Sequence, residues 1–164
     1  MRIDKRRRRE CKTDYKARLS LLKSGKPRIV FRKTNRYIIG QYIKSNEARD
    51  SVAIGITSKD LLDFGWPKEM SGSLKSLPAS YLAGFLLGKK IADREDNVKA
   101  ILDTGLLRNT GKSRIYAFLK GVIEAGVEVP CSEKVFPDEG RLRGKHMKRN
   151  ADLDKIKKEI EKNV

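Results

Sequence analysis

Histidine and cysteine are nearly missing from this chain. It has 164 residues, one histidine (His146) and two cysteines (Cys11 and Cys131). Neither cysteine belongs to a CxxC pair, so a structural zinc site lacks its ligand set. Two cysteines allow one disulfide, but reduced thiols of a cytoplasmic protein are the expected state. Ser/His/Asp catalysis needs a histidine beside a nucleophile and an acid. His146 lies in a basic tail with no such arrangement around it. Long apolar runs are also missing. The longest, around residues 82–87, is far too short to span a bilayer. Arg6–Arg9 is followed by Glu10, Cys11 and Lys12 rather than by the apolar stretch of a signal peptide. Acidic residues are scarce: 21 Asp and Glu face 38 Lys and Arg, for a net charge of +17. That balance points to a polyanionic partner.

The positive charge sits at the two ends. Residues 1–50 hold 17 basic and 5 acidic side chains, residues 51–140 hold 12 of each, and residues 141–164 hold 9 and 4. A neutral body therefore carries two basic ends. The expected organisation is a basic RNA-binding arm and helix over 1–26, an α/β domain over 27–130, and a basic tail with a terminal helix over 131–164. Few apolar residues anchor the extremes, so amides at 1–10 and 149–164 are expected to exchange quickly without RNA.

The stretch around which the chain is organised is KPRIVFRKTNRYIIGQYIK, residues 26–44. Two strand-like runs, 28–33 and 36–43, meet at Thr34 and Asn35, a pair suited to a turn. Pairing Lys33 with Arg36 sets Ile29, Phe31, Ile38, Gly40 and Tyr42 on one face. Arg28, Val30, Arg32, Tyr37, Ile39 and Gln41 share the other. The first face suits a core. The second mixes guanidinium groups, a ring and an amide, which suits RNA phosphates and stacked bases. An ordinary hairpin with a solvated basic face is the alternative. A one-residue slip would exchange the faces.

Before the hairpin, a disordered start is expected to lead into a helix from about Glu10 to Lys23, with Lys12, Lys16, Arg18 and Lys23 on its polar side. After it, residues 51–57 read as a third antiparallel strand with Val52, Ile54 and Ile56 on one face. A short capped helix then runs towards Trp66, which reads as a core or lid residue, and a polar loop follows. Pro78 suits a helix start. Gly84 and Gly88 mark a close approach of that helix to a sheet. Residues 98–103 read as a strand, Ser113 as the N-cap of a helix burying Ile115, Phe118, Leu119 and Val122, and Gly126 as its stop. Residues 127–129 read as a last short strand. The order is β-β-β-α-β-α-β, hence a mixed sheet with packed helices. The terminal helix, from about Asp152, has only Leu153, Ile156 and Ile160 to bury and is marginal alone.

Two enzyme readings compete. GLLRNTGKS, residues 105–113, comes near a phosphate-binding loop ending in Lys112 and Ser113, but five residues separate the glycines where the motif needs four. The carboxylates Asp60, Asp63, Asp103 and Glu124 are available, yet metal-dependent phosphodiester chemistry needs several at one point, and residues 26–44 supply none. A P-loop-like NTPase and a generic polyanion binder remain the alternatives to a structural RNA-binding protein. No metal or cofactor is expected.

Several pieces carry a resemblance: RRRRECKTDYKARLSLLKSGKPRIVFRKTNRYIIGQ, LPASYLAGFLLGKK, AILDTGL, the 111–130 segment ending EAGVEVP, and FPDEGRLRGKHM. Through them residues 5–147 resemble the archaeal branch of the large-subunit ribosomal protein family that binds 5S rRNA. The resemblance implies a mixed α/β fold with a ribonuclease-H-like motif and no catalysis. It implies binding to 5S rRNA, contacts with the large rRNA and neighbouring ribosomal proteins, and a place in the central protuberance. It implies no small-molecule substrate and no membrane. The arm matches at Arg6, Arg7, Arg8, Arg9, Lys12, Tyr15 and Arg18. The hairpin matches at Arg28, Arg32, Lys33, Thr34, Asn35, Arg36 and Gln41. Tyr37 stands where many relatives are expected to carry histidine, which keeps stacking and loses a titratable contact. Lys23, Lys26, Lys112, Arg114, Arg141, Arg143 and Lys145 complete the expected RNA contacts. By this resemblance the long C-terminal extension of the eukaryotic form is expected to be largely missing.

Overall fold

A computed structural model describes residues 3–47, 49–147 and 151–163. Its centre is a four-stranded mixed sheet in the order β3-β2-β1-β4. The strands are β1 (Arg28–Lys33), β2 (Ile38–Asn46), β3 (Arg49–Thr57) and β4 (Ile101–Asp103). The first three form an antiparallel meander, and β4 returns parallel to β1. The helices are α1 (Arg6–Arg9), α2 (Tyr15–Lys23), α3 (Leu77–Ala92), α4 (Arg114–Glu124), α5 (Glu139–Leu142) and α6 (Leu153–Asn163).

The hairpin closes differently from the expected two-residue turn. Lys33 pairs with Ile38, not with Arg36. The loop lengthens because the Thr34 hydroxyl accepts the backbone N–H groups of Arg36 and Tyr37 and donates to the Tyr37 carbonyl. The shift is two residues, so side-chain parity survives. Ile29, Phe31, Ile38 and Tyr42 do share the buried face. Val52 departs from its expected face. Tyr42 pairs with Ile54 while Ile43 pairs with Val52, which makes Ala53 the extra residue of a bulge. Ile54 and Ile56 are buried and Val52 is 53% exposed.

The buried face rests on α3 and α4. Phe31 meets Phe118 edge to face with ring centroids 5.3 Å apart. Thirteen of the sixteen residues of α3 are buried, which makes it the central helix, with neighbours on several sides. One neighbour is α4, and here the expected sheet contact of the glycines is corrected. A Cβ at Gly84 would strike the Phe118 carbonyl, and one at Gly88 would lie 2.5 Å from the Ala125 Cβ. A Cβ at Gly121 would strike the Tyr81 carbonyl. Absent side chains on both helices let the backbones meet.

Other expectations shift in detail. Arg6–Arg9 of the expected disordered start form the short helix α1, and the longer helix α2 begins at Tyr15 rather than Glu10, where the Asp14 carboxylate caps it by accepting the N–H groups of Lys16 and Ala17. Residues 60–62 make one 3₁₀ turn, held as Asp60 accepts from the Thr57 amide and hydroxyl. The expected polar loop after Trp66 contains a 3₁₀ segment, Lys68–Ser73, and buries Met70 and Leu74. Trp66 is a core residue, 2% exposed. The last expected strand reduces to one bridge, Lys99 to Glu128.

The terminal helix α6 is not loose. Leu153, Ile156 and Ile160 are buried, and α6 packs on α3. The Lys157 ammonium lies 4.7 Å from the Tyr81 ring centroid and 4.9 Å from that of Phe85. It also reaches Glu124 at 2.9 Å. The Tyr81 hydroxyl donates to the same carboxylate. Fast exchange is therefore withdrawn for α6. At 1, 2, 149, 150 and 164 that expectation lies outside the described residues.

Candidate nucleic-acid interface

The second face of the sheet holds the expected RNA residues, and its chemistry is more internal than the sequence suggests. Arg28 is only 2% exposed. Its guanidinium donates to Asp103 at 3.0 Å, to Asp50 at 2.6 Å and to Ser45 at 3.1 Å. Ser45 and Asp50 are cross-strand partners. This side chain is enclosed by its own partners, so the expectation that Arg28 faces RNA is corrected: it is a strut inside the sheet.

The ion chain extends both ways from Arg28. Arg18 on α2 reaches Asp50 at 2.9 Å, which ties the arm to β3. Arg32 reaches Asp103 at 3.0 Å and also donates to the Phe31 and Asp103 carbonyls. Asp103 also accepts the Gly105 N–H at 2.8 Å, starting the loop after β4. Burial would push the Asp50 carboxyl up, but the donors Ser45, Arg28 and Arg18 outweigh it and hold the carboxyl below its ordinary range.

The remaining arm and hairpin cations face outward. Arg6, Arg7, Arg8, Arg9, Lys12, Lys23, Lys26, Lys33 and Arg36 are exposed, as is Asn35, while Tyr15, Thr34 and Gln41 are half-buried. Exposed ion pairs with Glu10 and Asp4 engage Arg6, Lys12 and Arg8; such pairs are weak and exchange readily for phosphate. No residue of α1 is buried. Tyr37 is half-buried beside the core, with the Lys59 ammonium 4.5 Å from its ring centroid. The structure thus brings arm and sheet together through Arg18, and places Tyr37 under a cation that sequence reasoning passes over. Asp50 and Asp103 escape sequence reasoning as positioning residues. The available signal is thin: Asp103 is an acid ending an apolar strand, and Asp50 follows Arg49 at the start of one.

The second basic group lies on other elements. Arg114, Arg141, Arg143 and Lys145 are exposed, and Lys112 reaches Asp138 at 3.0 Å. The Lys112 backbone N–H donates to the Val135 carbonyl, and the Ser113 hydroxyl is buried without a partner. Ser113 does occupy the N-cap position of α4, yet its side chain makes no capping bond. Backbone N–H groups must turn inward to cradle phosphate, and the Lys112 amide of this loop is spent on Val135 instead. The four carboxylates weighed for metal chemistry are dispersed. Asp60 caps a turn, Asp103 binds arginines, and Glu124 binds Tyr81 and Lys157. Among the described residues no three potential metal ligands cluster, and no helix is long and apolar enough to cross a membrane.

A mixed α/β body carrying a cationic arm, with Asp50, Asp103 and Glu124 held in internal pairs, is a basic α/β protein built to meet a polyanion. Residues 1–97 match the family described as "Ribosomal large subunit proteins 60S L5, and 50S L18". Relatives named large ribosomal subunit protein uL18 extend the match. That of Korarchaeum cryptofilum is 51% identical over 142 residues, 87% of this chain and 70% of the relative. That of Methanococcus maripaludis is 43% identical over 166 residues, 98% of this chain and 83% of the relative. That of Methanoculleus marisnigri is 45% identical over 142 residues, 87% of this chain and 78% of the relative. The chain belongs to this family of large-subunit ribosomal proteins. It is a structural constituent of the large subunit of the cytoplasmic ribosome and not an enzyme.

Proposed function

We propose that the chain binds 5S rRNA and helps attach it to the large rRNA in the central protuberance. One observation carries the RNA reading. Apart from Arg18, the cations of the arm and the hairpin loop are exposed and contribute nothing to the core, whereas Arg28, which has a folding role, is enclosed by carboxylates. Charge left outside the fold serves a partner. The arm, 1–26, and the loop of the hairpin grip 5S rRNA; the body, 27–130, holds them in place. Lys112, Arg114, Arg141, Arg143 and Lys145 meet large rRNA or a neighbouring ribosomal protein. The match to the 5S-binding branch in the arm and hairpin supports the choice of RNA. Competition tests it: labelled 5S rRNA is challenged with unlabelled 5S rRNA and with an unrelated RNA of equal length. Preference for 5S rRNA is expected. Equal competition would leave only a generic polyanion binder.

A further inference from the structure

Between α2 and the loop after β4 lies a cleft of about 850 Å³. Its floor is apolar, with Leu21 from α2, Leu102 from β4, and Leu107. Leu106 forms a lip and is 58% exposed. Its rim is cationic: Arg7, Lys12, Arg18 and Arg32 all line it. The two acids in its lining are committed. Asp14 caps α2, and Asp103 binds Arg28 and Arg32. Two of the rim guanidinium groups are held in place, Arg18 by Asp50 and Arg32 by Asp103. Gly105, at φ +59°, brings the loop so close that a Cβ would lie 2.9 Å from the Arg32 guanidinium carbon.

An apolar floor under a cationic rim asks for a ligand with a flat apolar part and a negative part. The volume falls within the range of about 300–1,000 Å³ typical of sites that enclose a small ligand, which is far more than a lone phosphate needs. Resting on the RNA reading above, we propose that this cleft takes one unpaired nucleotide of an RNA. The base lies against Leu21, Leu102 and Leu107 and under the Arg32 plane, and its phosphates meet Arg7, Lys12 and Arg18. Paired RNA cannot fill the cleft, because its bases stay stacked inside the helix. A bulged base is already free of its pairing, so seating it avoids that cost.

The test uses the full chain and two short RNA hairpins. They are identical except that one carries a single bulged 2-aminopurine. The filler variant Ala17→Leu/Ser20→Leu narrows the cleft from α2 and leaves every cation in place; both residues are exposed, so folding is kept and is checked by melting. Wild type should bind the bulged hairpin about tenfold tighter than the paired one, with a change in 2-aminopurine fluorescence. The filler should abolish that preference and leave paired-hairpin affinity and its salt slope unchanged. If both hairpins bind equally to wild type, or the preference survives the filler, the cleft is not a nucleotide site and the RNA reading stands. Equal loss for both hairpins in the filler also overturns it, making the cleft a general phosphate contact. If neither hairpin nor 5S rRNA binds at low salt, the RNA reading itself fails.

Discussion

Arg28 sets the terms at the scale of single residues. Its pairs are buried, so removing one partner strands a charge. Asp103→Ala is expected to cost about 3–5 kcal/mol in urea unfolding, whereas Arg36→Ala on the exposed loop should stay within about 0.5 kcal/mol. The core and the surface of the hairpin should separate in the same way. Phe31, 1% exposed and against Phe118, should lose about 3–5 kcal/mol on change to Ala. Tyr37→Ala should affect RNA binding more than melting; the reverse pattern would place the RNA on the opposite face. Glu124 adds a pH dependence. Burial raises its carboxyl, but Tyr81 and Lys157 outweigh burial and hold it below its ordinary value. The stabilisation is thus fully present above that ordinary value, about 4.3, and is lost as pH falls through the lower folded value. Amide exchange in α6 should accelerate over that acid range in wild type and not in Glu124→Gln. Alternation makes Ile29 and Phe31 legible in the sequence. Arg28 is illegible there because its carboxylates lie 22 and 75 residues away.

At the scale of elements, parity forgives an error in register. The turn read from the sequence sits two residues from the observed pairing, yet every side chain keeps its face. The single extra residue in β3 does what an even shift cannot, and turns Val52 out. A bulge leaves no mark in composition, since its cause is the pairing of another strand. The GxxxG spacing in α3 announces a close neighbour but not which one. A sheet and a helix both fit that spacing, and only the tertiary fold chooses α4. Gly84→Ala should therefore destabilise by about 1–3 kcal/mol or more, read as a lowered urea midpoint, while Gly72→Ala, with open space around it, should change little. The terminal helix reads as marginal because three apolar residues are too few in isolation. On α3 they complete a surface already present.

The whole molecule divides charge by task. Residues 51–140 balance their acids and bases, 12 of each, and the arm carries a surplus of which, among the described residues, only Arg18 is tied into the sheet. Replacing Arg6, Arg7, Arg8 and Arg9 by Ala should leave the melting curve unchanged, since none is buried. It should reduce the slope of log affinity against log salt by roughly 0.7–0.9 for each phosphate that the arm no longer neutralises. An unchanged slope would remove the arm from the interface. This division is legible from the chain, because charge counts need no geometry. The cleft is not, because its walls come from α2 and β4, which are distant in sequence.

The pairing of β4 with β1 has a consequence in time. Arg28 leaves the synthesising ribosome 75 residues before its partner Asp103. At about 5–20 residues per second, roughly four to fifteen seconds pass in which the meander can form with that guanidinium still seeking an anion. Asp50 arrives early and offers a first resting place. The sheet can only be sealed late, when the fourth strand slides in along the first.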